Sequence, residues 1–216
     1  MAISTGAELF TAVANFLADD SLTSRVGEFI TLGEARIWYG VEAPAPYPSP
    51  PLRARQMQTR LDITVDAQAE TLSSDYLDTT LIFLDGDPVR YLEHMSPVSF
   101  WQTWTGSNSG KPKAFTIYGS QILYGPSPDG TYTGEHWYYA KPTALANDAV
   151  GNWLLTASPG VYLYAALLEA QAYLQDDEQV VKWYQAYTGT VAGMNAASKS
   201  STQGGLMIPR TGRSTP

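Results

Sequence analysis

The sequence predicts an α+β fold. Three observations carry that expectation. Apolar residues recur at helical spacing near both ends of the chain, the residues between them alternate apolar with polar, and a proline-rich run separates the two regimes. Each helical stripe needs a partner face, so the N- and C-terminal helices are expected to form a four-helix bundle. A β-rich insertion lobe and an extended C-terminal tail complete the expectation. The boundaries read from composition are 1–43 and 146–197 for the bundle, 44–145 for a Pro-rich linker plus the lobe, and 198–216 for an extended arm.

Leu9, Phe10, Val13, Phe16 and Leu17 mark a first helix near 7–19, with Ser4 or Thr5 as its N-cap. A second helix is expected near 22–40, with Val26, Phe29, Ile30, Ile37 and Val41 on one stripe and Arg25, Glu28 and Arg36 facing away. Gly27 and Gly33 weaken it by about 1 kcal/mol each unless they permit close packing. Residues 44–51 hold five prolines around Tyr47, a composition that excludes helix and predicts an extended, stiff segment. Beyond it, Leu61, Ile63 and Val65 alternate as a strand does. Leu81–Leu84 and Val89–Leu92 flank Asp85-Gly86-Asp87-Pro88 as a hairpin. Ser96-Pro97 opens a short helix with Phe100, Trp101 and Trp104. Phe115–Tyr118 and Gln121–Tyr124 form a second hairpin about Gly119-Ser120, and Tyr132–Tyr139 returns as a strand. Helices near 160–174 and 177–195 follow, the second with Asp176, Asp177 and Glu178 at its start, where the helix dipole favours acids.

Of the 216 residues 44% are hydrophobic, enough for a real core and too many for wholesale disorder. A net charge of −8 repels phosphate backbones and anionic membranes. The absence of cysteine removes disulfides and thiolate chemistry. No basic region precedes the first apolar residues, and the longest apolar run, Val161–Leu168, is far short of a membrane span. A soluble chain made in the cytoplasm is expected.

No catalytic, cofactor or metal set emerges, so no enzyme and no cofactor is expected. His94 and His136 lack metal-ligand spacing and read as surface or hydrogen-bonded histidines. Gly106–Gly110 has Asn108 where a nucleophile elbow needs serine. Asp85-Gly86-Asp87 lacks the later glutamate of a calcium loop. Trp101 and Trp104, or Trp137 with Tyr138 and Tyr139, are candidate sugar-stacking groups, although such residues serve cores and subunit interfaces equally well.

A series of motifs occurs in order along residues 7–195. Val26–Ile37 resembles a Phe-Ile-x-Leu-Ala-Glu-x-Arg-Ile helix, followed by Leu52-Arg53-Ala54-Arg55-Gln56-Met57. Leu72–Leu77, Asp85–Pro88 with Tyr91-Leu92, Pro126–Tyr132 with Tyr138-Tyr139, and Asn152–Leu155 through Glu178 continue it. Together they resemble the tailed-bacteriophage head-to-tail adaptor, or connector, family. Gly40–Pro51 interrupts the junction that in the family pattern is direct, Gly33 stands where alanine is common, and Ser73 where proline is common.

The resemblance implies a structural virion protein at the head-tail interface. Such subunits form a ring of about twelve copies below the portal, a closed symmetric assembly. The ring extends the DNA channel and offers the platform for tail attachment. The implied partners are the portal protein, a tail or nozzle/stopper protein below the ring, and further copies of the chain. Genomic DNA would pass without specific binding, which an acidic ring favours, and no membrane is involved. Two partner-binding elements are expected. Tyr47 anchors the proline segment on a neighbour. Leu206, Met207 and Ile208, with Arg210 and Arg213 beside them, form an apolar and basic docking arm directed at the portal. The alternatives are a receptor- or carbohydrate-binding virion module that uses the aromatic β lobe, and a hydrolase with unrecognised carboxylates.

Overall fold

The computed structural model describes residues 3–104, 108–145 and 150–202. The chain divides into two compact units, one made from its two ends, up to Arg55 and from Ala144 on, and one from Gln56–Thr143. Helices and sheets are both present, so the chain is α+β.

In the first unit, α1 (Gly6–Leu17) starts on a capping box. Thr5 Oγ1 accepts from the Glu8 amide at 3.2 Å, and the Glu8 carboxylate accepts from the Thr5 amide at 3.1 Å. The helix expected from Leu22 begins later. Asp19 captures the Ser21 amide, and Asp20–Arg25 winds as a tighter 3₁₀ turn before α2 (Val26–Tyr39). Val26, Phe29, Ile30, Gly33, Glu34, Ile37 and Trp38 are the buried stripe of α2. Val41 lies outside the helix, because Gly40 turns the chain at a φ of 69°. A Cβ there would stand 2.6 Å from the Ser49 carbonyl oxygen, so only glycine fits.

The second unit is a two-sheet sandwich. Its strands are β1 (Gln58–Val65), β2 (Ala69–Thr71), β3 (Tyr76–Leu84), β4 (Arg90–Tyr91), β5 (Glu93–His94), β6 (Ala114–Tyr118), β7 (Gln121–Gly125) and β8 (Tyr132–Ala140). One sheet has the order β1-β8-β3-β4 and the other β2-β7-β6-β5. Both expected hairpins form: Phe83 pairs with Tyr91 across the Asp85–Val89 loop, and Tyr118 with Gln121 across Gly119-Ser120. Ile63, Val65, Ile82 and Leu84 from the first sheet meet Phe115, Ile122 and Tyr124 from the second in one core. Leu61 keeps the alternation but lies beyond that core and is exposed. The short helix α3 (Pro97–Thr103), capped by Ser96, covers the other face of the second sheet. Gly125 allows this, since a Cβ would collide with Trp104 and Phe100 at 2.5 and 2.7 Å.

The first unit resumes with α4 (Trp153–Ala157), α5 (Pro159–Leu174) and α6 (Asp177–Thr202). Helix α5 is buried nearly all round, and α1, α2, α4 and α6 all pack on it. Gly33 sets the approach of α2: a Cβ there would lie 3.0–3.1 Å from the backbone and Cβ of Ala165 and Ala166. Among the described side chains of α6, Val180, Tyr187 and Val191 are buried. That helix continues to Thr202, so it runs into the stretch expected to be tail.

Candidate interaction site

The proline segment does not extend as its composition suggests. The Val41 and Ser49 amides each donate to the other's carbonyl at 2.8 Å, which closes residues 41–49 into a loop. Tyr47 makes the turn with a φ of 58°, a left-handed conformation that a tyrosine holds only when its surroundings enforce it. The prolines preset the backbone locally, but the reversal is a pairing between the loop's two ends, which no short window reveals.

Three helices hold the loop. Arg36 sits near the end of α2 and, contrary to the expectation that it faces away, points inward. Its Nε donates to Glu169 of α5, and its Nη1 donates to the Tyr47 carbonyl at 3.1 Å. From α6, the Tyr184 hydroxyl donates to the Pro48 carbonyl at 2.7 Å, and its ring centre lies 5.4 Å from that of Tyr47. Asn195, also on α6, accepts from the Arg53 amide at 2.8 Å and donates to the Pro51 carbonyl at 3.1 Å. Tyr187 is buried nearby, and burial is the main cause that pushes its phenol well above the usual range. The outer surface of this pinned loop shows Pro44, Pro46, Pro48 and Pro50. A cleft of about 380 Å³, formed by Tyr39, Val41, Glu42 and Pro48–Pro51, lies beside them. Such a surface is rich in proline, with Tyr39 and Glu42 at the cleft. It suits contact with another protein.

Of the residues expected to bind partners, Tyr47 is therefore placed on its own chain's Tyr184, with its ring half-buried. Leu206, Met207, Ile208, Arg210 and Arg213 lie outside the described residues, as does Gly106. Sequence reasoning missed Glu169, Tyr184 and Asn195. They lie on helices far along the chain from the loop they hold, and their spacing marks them only as helical residues.

The two histidines have different surroundings. His136 is buried between Tyr76 and Tyr138, with Nε2 3.0 Å from the Thr79 hydroxyl, and burial lowers its pKa to about 4. His94 is exposed and stacks on Phe115 at 5.0 Å. Among the described residues no three histidine or carboxylate side chains converge as a metal ion needs. The aromatic candidates are not gathered into one platform. Trp104 packs on Gly125 with α3, Tyr138 is buried in the sandwich, and Trp137 faces outward with its indole N–H on Glu135. No helix among the described residues is long and apolar enough to cross a membrane.

A family model described as SU10 adaptor protein matches residues 4–209. No curated protein matches the chain.

Proposed function

The chain belongs to the SU10 adaptor protein family of phage head-to-tail adaptors, structural components of the virion, and from that premise we propose a ring subunit seated directly below the portal. In this reading about twelve copies close a ring that extends the DNA channel and carries the next tail component. The observation that supports it most is the extent of the family match, which runs from the first helix through both units and into the tail. A net charge of −8 per subunit favours a channel along which DNA slides without sticking. The pinned loop at Tyr47 serves as a rigid contact on a neighbour. The segment carrying Leu206, Met207, Ile208, Arg210 and Arg213 serves as an arm that docks within the assembly.

Mixing the purified chain with portal rings and weighing the product by native mass spectrometry or light scattering tests this reading. The expected product is a portal ring carrying a full complement of about twelve subunits. No complex, or a ring of another order in assembled particles, overturns it.

A further inference from the structure

Phe16, near the end of α1, leaves 57% of its surface in water, and it is not an isolated ring. It stands edge-on to Trp183 of α6 at 5.9 Å, and Trp183 stacks on Tyr164 of α5 at 5.8 Å, both of them half-buried. Three rings from three helices thus form one aromatic patch on the first unit. Lys182 Nζ lies 4.6 Å from the Trp183 ring centre and makes the patch cationic as well. The patch and the proline loop occupy different flanks of the unit. On α6, Trp183 and Tyr184 fall on opposite sides of the buried line through Val180, Tyr187 and Val191, roughly 100° apart. Tyr184 holds the loop. On α5, Tyr164 and Glu169, the partner of Arg36, are roughly 140° apart. A loop pinned by Arg36, Tyr184 and its own Val41–Ser49 pairing does not reach the patch of its own chain.

We propose that the loop at 42–50 of one copy docks on the Phe16, Tyr164 and Trp183 patch of the next copy, an inference that rests on the reading of this loop as a contact on a neighbour. Proline rings pack well on aromatic faces that are open to solvent. The loop presents Pro44, Pro46, Pro48 and Pro50 outward, and it is already closed, so it loses little entropy on docking. The charges match as well. Glu42 is exposed at the root of the loop, Lys182 is the cation of the patch, and neither has an ion-pair partner among the described residues. Because loop and patch are unlike surfaces on different flanks, their contact is head-to-tail. Such a contact repeats from copy to copy instead of stopping at a pair, as a ring requires.

The test is crosslinking in the full chain, which has no cysteine of its own. Phe16→Cys with Pro46→Cys in one chain should give a ladder of covalent multimers under mild oxidation, both with portal rings and in concentrated chain alone. The two single variants mixed together should stop at dimers, and each by itself should give no crosslink. Glu42→Lys and Lys182→Glu should each weaken self-association about threefold to fivefold in sedimentation, and the two changes together should restore it. Both residues are exposed, so the fold tolerates either change. No ladder in either setting, or a double reversal that restores nothing, overturns the docking. If full rings still form on the portal without a ladder, the ring reading stands and only this contact is wrong. A ladder in the chain alone, with no binding to portal rings, upholds the contact and overturns the seat below the portal. Recruitment lost in Phe16→Asp while no ladder forms assigns the patch to a different protein and overturns docking between copies.

Discussion

Arg36 and Glu169 are 133 positions apart and form an ion pair across α2 and α5, and the same guanidinium holds the Tyr47 carbonyl. The two side chains are only 13% and 18% exposed, so each is largely out of water and depends on the other. The pair joins the packing of two helices to the position of a surface loop.

Replacing Glu169 by Gln should therefore leave the Arg36 charge largely buried with only neutral acceptors, the new amide oxygen and the Tyr47 carbonyl. The expected loss is about 2–4 kcal/mol, less than for a fully buried pair because some solvent reaches both groups. Urea unfolding measures the loss. Proteolysis within residues 42–50 should quicken at the same time, because the arginine that holds the Tyr47 carbonyl loses its orientation. Unchanged cleavage would show that Tyr184 and Asn195 hold the loop without it.

Two glycines of α2 should respond oppositely to alanine. Gly27 has nothing within 4 Å of its missing Cβ, so Gly27→Ala should stabilise by about 0.5–1 kcal/mol through helix propensity. At Gly33 the added methyl meets the α5 backbone at 3.0 Å and forces the helices apart, so Gly33→Ala should destabilise by about 1–3 kcal/mol. Thermal melts of the two variants suffice, and a stabilised Gly33→Ala would mean the crossing is looser than its geometry.

The contrast between these glycines marks what was legible beforehand. Period and turn chemistry revealed the stripe of α2, the Gly119-Ser120 hairpin and the capped starts of α1 and α3, since each depends on residues a few positions apart. The inward turn of Arg36, the closing of the proline loop and the close crossing at Gly33 depend on partners such as Glu169, Ser49 and Ala166, which sequence spacing does not bring together. The full reach of β3 was also missed. Asp78 and Thr80 make its first half look like a loop, and the β8 strand beside it supplies the order.

Stability of the sandwich should fall as pH drops from about 6.5 toward 4. His136 has a folded pKa near 4 and an ordinary value of 6.5, so in that window the unfolded chain takes up a proton that the folded chain refuses. The contribution is fully present above 6.5 and its loss amounts to about 3 kcal/mol at most. Glu34 acts in the opposite sense: burial raises its pKa, so its part of the stability falls as pH rises above its ordinary 4.5. The comparison that isolates the histidine is the pH slope of His136→Gln against the parent, by urea unfolding. The variant should be less stable at neutral pH, and its slope between 4 and 6.5 should be flatter by close to one proton. Equal slopes would mean that the imidazole titrates normally in the folded chain.

The last prediction separates Tyr47 as a packing residue from Tyr47 as a contact. Its ring lies against Tyr184 of the same chain, so Tyr47→Ala must cost something in the isolated subunit, about 1 kcal/mol for a half-buried aromatic pair. Alanine holds the φ of 58° no more easily, so Tyr47→Ala keeps the whole cost, whereas Tyr47→Gly offsets part of it by relieving the backbone. Tyr184→Phe provides the reference: it removes the hydroxyl that donates to the Pro48 carbonyl but keeps the ring against Tyr47. If the loop contacts a neighbour through Tyr47, Tyr47→Ala and Tyr47→Gly should both lower recruitment to portal rings well beyond Tyr184→Phe, even at temperatures where every variant is folded. Recruitment that simply follows the melting temperatures across the three variants would assign Tyr47 to the loop's own packing. The contact would then belong to the exposed prolines on either side of it.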